Sequence, residues 1–355
     1  MTALLPVFDG HNDILLRLLN APEKRNEIWL TGEGRGHLDL PRMKAGGFAG
    51  GFFAIYIPSP PVPGAADYDL VMDNPPYDLA LPALIEHATA QPVALAMAGH
   101  LHWMERSSGG AFKLCTTAAE LRDCLARGVI SGIMHMEGAE AIGPGLDALY
   151  LYHSMGLRSI GPVWSRPTVF GHGVPFRYPG QPDTGPGLTD AGHALVHACN
   201  DLKIMLDLSH LNEAGFNDIA KLSDAPLVAT HSNAHAITPS TRNLTDRQLG
   251  MIKDSGGMVG LNFATVFLRP DGRKSPDMSL DIMLRHLDHL ITHLGEDHVG
   301  LGSDFDGATV PDPITDVAGL PVLVQAMRDH GYNESLMRKL AYDNWFGVLL
   351  RTWGA

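Results

Sequence analysis

Residues 5–13, LPVFDGHND, join a short apolar run to a polar end that carries His11 and Asp13. Seven further β-leaning apolar runs follow along the chain, at residues 51–57, 129–135, 157–163, 204–208, 227–229, 258–263 and 299–301. Most of them are too short for helices, and several are bounded by Gly, Pro, Ser or Asp. Each run is therefore a predicted strand.

Helical patterns separate several of these runs. Thr189 is the predicted N-cap of a helix over residues 189–202, and residues 117–127 form a second helical pattern. Residues 278–294 carry an apolar stripe at helical spacing. Strands that alternate with helices predict a parallel sheet, most simply a closed (β/α)₈ TIM barrel, with an open doubly wound sheet as the alternative.

A single barrel domain is expected over residues 1–355, because α/β barrels often exceed ~250 residues as one domain. Residues 165–187 are rich in Pro and Gly and are long for a loop between a strand and a helix. Long loops in compact domains are often functional. We therefore predict a loop insertion there that acts as a lid or a pocket wall.

The overall composition excludes several classes of protein. With 45% hydrophobic and 18% charged residues, the chain has neither the low hydrophobicity nor the high charge of a disordered protein. A net charge of −13 disfavours binding to nucleic acid. No apolar run approaches the ~18–20 residues of a membrane span, and the N-terminus lacks the pattern of a signal peptide. We expect a cytoplasmic protein that binds neither nucleic acid nor membrane.

Candidate metal ligands lie at the predicted strand ends. The chain has 18 histidines against three cysteines, so a metal site would be built from imidazoles and carboxylates. In a TIM barrel, chemistry collects at the carboxyl ends of the strands. The side chains at these ends are His11, Asp13, Glu137, His210, His231 and Asp304. The first two are two residues apart, so on extended backbone both point to the same side.

Six such groups exceed what one tetrahedral ion needs. The pattern therefore predicts two divalent ions that share a bridging carboxylate, with Glu137 as the bridge because no lysine ends a strand. Zn²⁺ suits these ligands, and Co²⁺ or Mn²⁺ are alternatives. Asp306 and Glu140 are interpreted as neighbours that support the site. Histidines on helical stretches, such as His289 and His293, are interpreted as surface or packing residues.

With these residues in place, the sequence resembles the renal or membrane dipeptidase family, zinc hydrolases with an amidohydrolase-type barrel. The matching motifs occur in order over nearly the whole chain, as DGHND (9–13), MEGAE (136–140), GLTDAG (187–192), LDLSH (206–210), THSNA (230–234), TRNLTD (241–246) and GSDFDG (302–307). The resemblance implies a zinc-dependent dipeptidase that hydrolyses the amide bond of dipeptides by a metal-bridged hydroxide. It further implies that a D-residue is accepted at the C-terminal position, and that the protein is a homodimer.

The resemblance also implies roles for the ligands. His11 and Asp13 match the ligands of the first zinc ion, and His210 and His231 match those of the second. Glu137 matches the carboxylate that bridges the two ions.

Substrate-handling residues follow from the resemblance in the same way. Asp304 matches the acidic residue that transfers the proton, and Arg242 matches the arginine that binds the terminal carboxylate of the substrate. At the end of the fourth strand, Trp164 stands where eukaryotic members have a substrate-binding histidine. His172, in the loop that follows, is the candidate to supply this imidazole and to contact the oxyanion.

Two alternatives to the dipeptidase remain open at this point. One is another di-metal hydrolase on the same barrel, which would open an amide, a lactam or a lactone. The other is a catalytically silent barrel that serves as a binding or assembly component. The ligand residues alone do not separate the hydrolases from one another.

Overall fold

The computed structural model describes residues 4–61 and 68–354, and its centre is a sheet of parallel strands. One strand corresponds to each predicted run, and in chain order these are β1 (Val7–Asn12), β2 (Phe48–Tyr56), β3 (Ile130–Glu137), β4 (Leu157–Gly161), β5 (Met205–Leu206), β6 (Val228–Ala229), β7 (Met258–Asn262) and β8 (Val299–Gly302). Their order in the sheet is β5-β4-β3-β2-β1-β8-β7-β6, and a parallel bridge between Asp207 and Val228 joins its two ends. The sheet thus closes into the predicted (β/α)₈ barrel.

Helices connect the strands. The described α-helices span Ile14–Asn20, Leu40–Gly46, Tyr68–Met72, His87–Ser107, Ala118–Arg127, Asp147–Ser154, Asp190–Leu202, Glu213–Leu222, Asp246–Asp254, Thr265–Leu268, Leu280–Leu294, Leu320–Asp329, Glu334–Arg338 and Asn344–Trp353. The predicted N-cap is confirmed, because the Thr189 side chain accepts a hydrogen bond from the Gly192 N–H. The helix predicted from residue 278 begins at Leu280, because the Ser279 side chain caps it there.

Apolar side chains fill the barrel at the amino ends of the strands. Phe8, Phe52 and Trp345 are buried there against one another. The Nε1–H of Trp345 donates to the Leu301 carbonyl at 3.1 Å. A Cβ on Gly300 would lie 2.6 Å from this indole nitrogen, so only glycine leaves room for the ring. Inside the barrel, polar side chains are therefore concentrated toward the carboxyl ends of the strands.

The segment 165–187 lies beside these carboxyl ends. The Val174 N–H donates to the His210 carbonyl at 2.8 Å, just beyond β5. Further along, Arg177–Tyr178 pairs with Tyr77–Asp78 as a short antiparallel ribbon. These contacts hold the segment next to the mouth of the barrel.

Candidate metal centre

Five predicted ligands meet at the carboxyl end of the barrel. Glu137, the last residue of β3, places its Oε1 3.0 Å from the His210 Nε2 and 3.3 Å from the His231 Nε2. The same oxygen lies 3.6 Å from the His11 Nε2, which is itself 3.3 Å from the Asp13 Oδ2. All five side chains are buried. The ends of three other strands, β1, β5 and β6, thus meet at the carboxylate that ends β3.

The donor atoms fall into overlapping groups. Within each group, the ligand atoms lie within 4.8 Å of one another. One group consists of His11, Asp13 and Glu137, and another of Glu137, His210 and His231. A further group consists of His11, His231 and Asp304. Because imidazole and carboxylate donors are mixed in each group, the cluster can hold Zn²⁺ or a similar divalent cation, and Glu137 can contact two of them.

A hydrogen-bond chain sets the tautomer of His231. The Thr230 hydroxyl donates to the Asp207 Oδ2 at 2.6 Å, and its oxygen lies 2.8 Å from the His231 Nδ1. The hydroxyl has one proton and gives it to the carboxylate, so the His231 Nδ1–H must be the donor in the second bond. The His231 Nε2 therefore keeps its lone pair for a cation. Ser165 similarly lies 2.8 Å from the His210 Nδ1, leaving Nε2 toward the cluster.

The charges in the cluster fit a bound cation. Neither ring nitrogen of His11 has a hydrogen-bond partner among the described residues. Burial lowers the pKa of His11, but the Glu137 and Asp13 carboxylates outweigh this effect and raise the pKa to about 10. Burial lowers the pKa values of His210 and His231 well below their usual range. A cation would supply the positive charge that the carboxylates lack, while those two imidazoles stay neutral.

Asp304 adds a carboxylate at the edge of this cluster, two residues after the end of β8. Its backbone φ is 59°, in the left-handed region where a residue other than glycine is strained. Its Oδ2 accepts a hydrogen bond from the Asn262 Nδ2 at 3.0 Å, and burial raises the pKa of its carboxyl. A Cβ on Gly307 would collide with the carboxylate oxygens of Asp304 and Asp13. Glycine at position 307 therefore leaves room for the carboxylates of Asp304 and Asp13 to lie next to its backbone.

Arg242, which is expected from the resemblance alone, lies next to the cluster. Its Nη1 donates to the Ser232 Oγ and its Nη2 to the His231 carbonyl, both at 2.8 Å. Its Nε is buried, and no hydrogen-bond partner for it lies among the described residues. Its guanidinium carbon lies 5.8 Å from the ring centre of Phe267. The side chain is thus held by two of its five N–H donors, and its Nε–H is left without a partner in the described part of the chain.

A cavity of about 270 Å³ opens onto the cluster. Polar residues at its base are Asp13, Glu137, His210 and Asp304. Apolar and aromatic residues form much of its wall, among them Leu16, Tyr56, Tyr68, Met72, Trp164, Phe176, Ala264, Val266 and Phe267. A small molecule with polar ends and an apolar body suits such a cavity.

Trp164, rather than His172, faces the cavity. The Trp164 ring centre lies 5.8 Å from that of His210 and 5.6 Å from that of Phe176. His172 is not among the described residues that line the cavity, and its carbonyl accepts a hydrogen bond from the Asn212 N–H at 3.2 Å. The structure thus gathers the predicted ligands, the predicted acid and the predicted arginine, but it does not bring His172 to them.

Three residues beside the cluster were not identified from the sequence as part of the site. His135 places its Nδ1 2.9 Å from the Ser159 Oγ and its Nε2 3.5 Å from the Asp207 Oδ2. It stands two residues before Glu137, the same spacing as in DGHND, and this repeat of the spacing is a signal that could have revealed it. Asp207 and Thr230, by contrast, become neighbours only when β5 and β6 close the barrel.

The two neighbouring carboxylates named from the sequence bind other partners. Asp306 accepts a hydrogen bond from the His37 N–H at 2.6 Å and pairs with Arg17 at 3.0 Å. Glu140 forms a buried ion pair with Arg166 at 2.7 Å. Both carboxylates therefore hold loops in place around the site.

A comparison with protein families identifies the chain. A sequence model of the membrane dipeptidases, peptidase family M19, matches residues 1–353. The chain belongs to the membrane dipeptidase family. This membership accounts for the order of the motifs along the whole chain and confirms the predicted resemblance.

Solved structures resemble this member of the family closely. A metallopeptidase from Rhodobacter sphaeroides, liganded with a phosphinate mimic of the dipeptide L-Ala-D-Ala, is 71% identical with a TM-score of 0.97. The match covers 99% of this chain and 100% of that one. The dipeptidase AC, a metallopeptidase of family M19, matches with the same identity, coverage and TM-score.

A curated relative is also similar to much of the chain. An uncharacterised Klebsiella pneumoniae protein in the pqqA 5′ region is 50% identical over 247 residues, which are 69% of this chain and 91% of that protein. Together, these comparisons confirm the predicted TIM barrel and the predicted class of metallo-dipeptidase. Among the described helices of this dipeptidase family member, none combines the length and the apolarity that crossing a membrane requires.

Proposed function

We propose that this chain is a zinc-dependent dipeptidase for dipeptides with a free C-terminal carboxylate, including those that end in a D-residue. The observation that carries the proposal is a set of overlapping His and carboxylate groups at the base of a small cavity, with a buried arginine beside them. The D-residue is supported by the L-Ala-D-Ala mimic in the relative of 71% identity.

We assign two divalent ions to the cluster. His11 and Asp13 would hold one ion, and His210 and His231 the other. Glu137 would contact both, since its Oε1 faces all three imidazoles. Zn²⁺ is the proposed ion, with Co²⁺ and Mn²⁺ as alternatives. When bound, ions of this kind activate a water molecule and polarise the scissile carbonyl.

We assign the proton transfer to Asp304. Its carboxyl lines the cavity, and the hydrogen bond from Asn262 fixes its orientation. Burial raises the pKa of this carboxyl, so it exchanges its proton closer to neutral pH than an exposed aspartate does. The group can therefore take up a proton and then release it to the leaving amine.

We assign the C-terminal carboxylate of the substrate to Arg242, which contacts the His231 carbonyl beside the ligands although it is not among the described residues that line the cavity. A planar guanidinium binds a carboxylate better than an ammonium group does, and the Nε of Arg242 is left without a partner among the described residues. Because Ser232 and the His231 carbonyl hold this side chain, the distance from Arg242 to the ligands is constant. Such a fixed distance selects dipeptides and rejects longer peptides.

The contacts of the cavity wall with the substrate are also proposals. Trp164 and Phe176 would contact the substrate from the wall of the cavity, and we propose no direct contact for His172. The single domain and the cytoplasmic location stay predictions from the sequence, and the homodimer stays an implication of the resemblance.

The zinc-loaded protein should be tested on L-Ala-D-Ala, L-Ala-L-Ala, the C-terminal amide of L-Ala-D-Ala, and a tripeptide. We expect amino-acid release from the two free dipeptides alone. Arg242→Ala should raise KM at least ~30-fold for the free dipeptides, because a buried charge-assisted pair is lost. Arg247→Ala is the matched control, since this exposed arginine pairs with Glu213 on the surface.

The outcomes separate the parts of the proposal. Cleavage of the amide or the tripeptide at parental rates would contradict the role of a free C-terminal carboxylate. A loss of bound metal in Arg242→Ala would mean that this arginine supports the ligands rather than the substrate. Silence on the whole panel with metal bound would contradict dipeptidase activity itself.

A further inference from the structure

A second cluster of histidine and carboxylate lies on the helices around the barrel rather than at its mouth. The helix Leu280–Leu294 contains His289 and His293, four residues apart. Residues at this spacing lie on one face of a helix, about one turn apart. The helix Asp246–Asp254 packs against this helix and presents Asp246 in its first turn.

The three side chains converge on one point. The His289 Nε2 lies 2.7 Å from the Asp246 Oδ1, and the His293 Nε2 lies 3.8 Å from the Asp246 Oδ2. The two imidazoles are stacked with their ring centres 4.3 Å apart, and the donor atoms of the group all lie within 4.8 Å of one another. Ligands in a tetrahedral zinc site are about 3.3–3.5 Å apart, so small rotations of these side chains suffice.

Exposure makes this cluster accessible to a cation from solution. The exposed fractions of the His289, His293 and Asp246 side chains are 20%, 34% and 47%. Each can therefore turn toward an ion, and water can complete the coordination. Two imidazoles and a carboxylate are the ligands of Zn²⁺ and of similar borderline cations.

A nearby pair of the same residue types lacks this arrangement. His330 contacts the Asp288 Oδ2 at 2.9 Å, but the Tyr332 hydroxyl donates to the other oxygen of Asp288 at 2.7 Å. The carboxylate is thus shared between one imidazole and a phenol. The exposed fractions, 37% for His330 and 48% for Asp288, are close to those of the cluster. This pair is a natural control for it.

We propose that Asp246, His289 and His293 form a separate metal site that binds one Zn²⁺ ion or a similar borderline cation. The bound ion joins the first turn of the helix Asp246–Asp254 to the last turns of the helix Leu280–Leu294. Binding to the folded state alone stabilises that state, so the ion raises the melting temperature.

The test uses the zinc-loaded enzyme after dialysis against metal-free buffer, titrated with Zn²⁺ by isothermal titration calorimetry. We expect one additional binding event in the parent protein and in His330→Gln. In the double variant His289→Gln and His293→Gln, the event should weaken at least tenfold or disappear. Added Zn²⁺ should raise the melting temperature of the parent and of His330→Gln, and leave that of the double variant unchanged.

Two results would overturn the proposal. The first is the absence of the additional Zn²⁺-binding event in the parent protein. The three side chains would then form hydrogen bonds with one another but no metal site. The second is a double variant that binds and is stabilised like the parent. Melting curves without added Zn²⁺ show whether the double variant is folded. Dipeptide turnover in the same samples reports on the barrel mouth, so a failure of the proposed activity is distinguishable from a failure of this site.

Discussion

Two clusters in this molecule use the same kinds of side chain in different surroundings. At the barrel mouth the donors come from strand ends and are buried, whereas Asp246, His289 and His293 lie on two helices and are partly exposed. Buried donors have lost water as an alternative partner, so an unpaired charge among them is costly. Exposed donors keep water as a competitor. We therefore expect the mouth to bind its metal far more tightly than the surface cluster.

The clusters also differ in what holds the donors in place. At the mouth, Thr230 and Asp207 fix the ring of His231, and Ser165 contacts the ring of His210. On the surface, Asp246 is the partner of both His289 and His293, so one potential ligand orients the other two. We infer that tight metal binding at the mouth depends on oriented imidazoles in addition to the right donor types. Three substitutions at the mouth, Glu137→Gln, Asp304→Asn and Thr230→Val, test the bridging charge, the proton transfer and the orientation of the ligands.

The largest effect is expected from Glu137→Gln. The amide keeps the size of the side chain but removes the negative charge that faces the three imidazoles. Both groups of ligands lose a member, so kcat/KM for L-Ala-D-Ala should fall at least ~10⁴-fold and the bound metal should decrease. Turnover assays with metal analysis by mass spectrometry measure this. Parental metal content together with parental activity would exclude the bridging role.

A smaller loss, confined to turnover, is expected from Asp304→Asn. The amide can still contact Asn262 but cannot carry the proton, so kcat should fall ~10²–10⁴-fold. Metal content should stay at the parental level, because the two groups that share Glu137 are intact. A fall in metal content with an unchanged kcat per bound metal would instead assign Asp304 to the ligands, with which it also forms a group.

The barrel and the convergence of its proposed ligands are predictable from the sequence for a physical reason. Each strand run is short and apolar, and parallel strands in a barrel bring their carboxyl ends to one rim. A polar residue after such a run, such as His210 or Asp304, is therefore directed to the site by the fold class alone. His135 follows the same logic, since it shares a strand face with Glu137.

Contacts that depend on tertiary packing are not predictable in this way. Asp246 and His289 are 43 residues apart on different helices, and the interpretation of His289 as a surface residue could not indicate its partner. His172 is close in sequence to Trp164, but its carbonyl accepts a hydrogen bond from the Asn212 N–H, and it is not among the described residues that line the cavity. The Thr230–Asp207 bond likewise exists only because the two ends of the sheet meet.

The smallest effect of the three is expected from Thr230→Val, which directly tests the orienting chain. Valine has nearly the same shape as threonine but offers no oxygen to the His231 Nδ1–H. The imidazole is then free to adopt the tautomer that places a proton on Nε2, so metal affinity should fall ~10–100-fold. Competition with a chelator of known affinity measures this change.

Thr238→Val separates orientation from the general cost of removing a buried hydroxyl. Thr238 is also buried, and its Oγ1 donates to the Leu268 carbonyl at 2.7 Å, away from the ligands. Each variant loses one buried hydrogen bond, so the free energy of unfolding should fall by about 1 kcal/mol in both. Only Thr230→Val should weaken metal binding, because only its hydroxyl contacts a ligand. If both variants lose metal affinity equally, the orientation of the imidazoles does not distinguish the mouth from the surface cluster. The difference in metal affinity between the two clusters would then be due to burial alone.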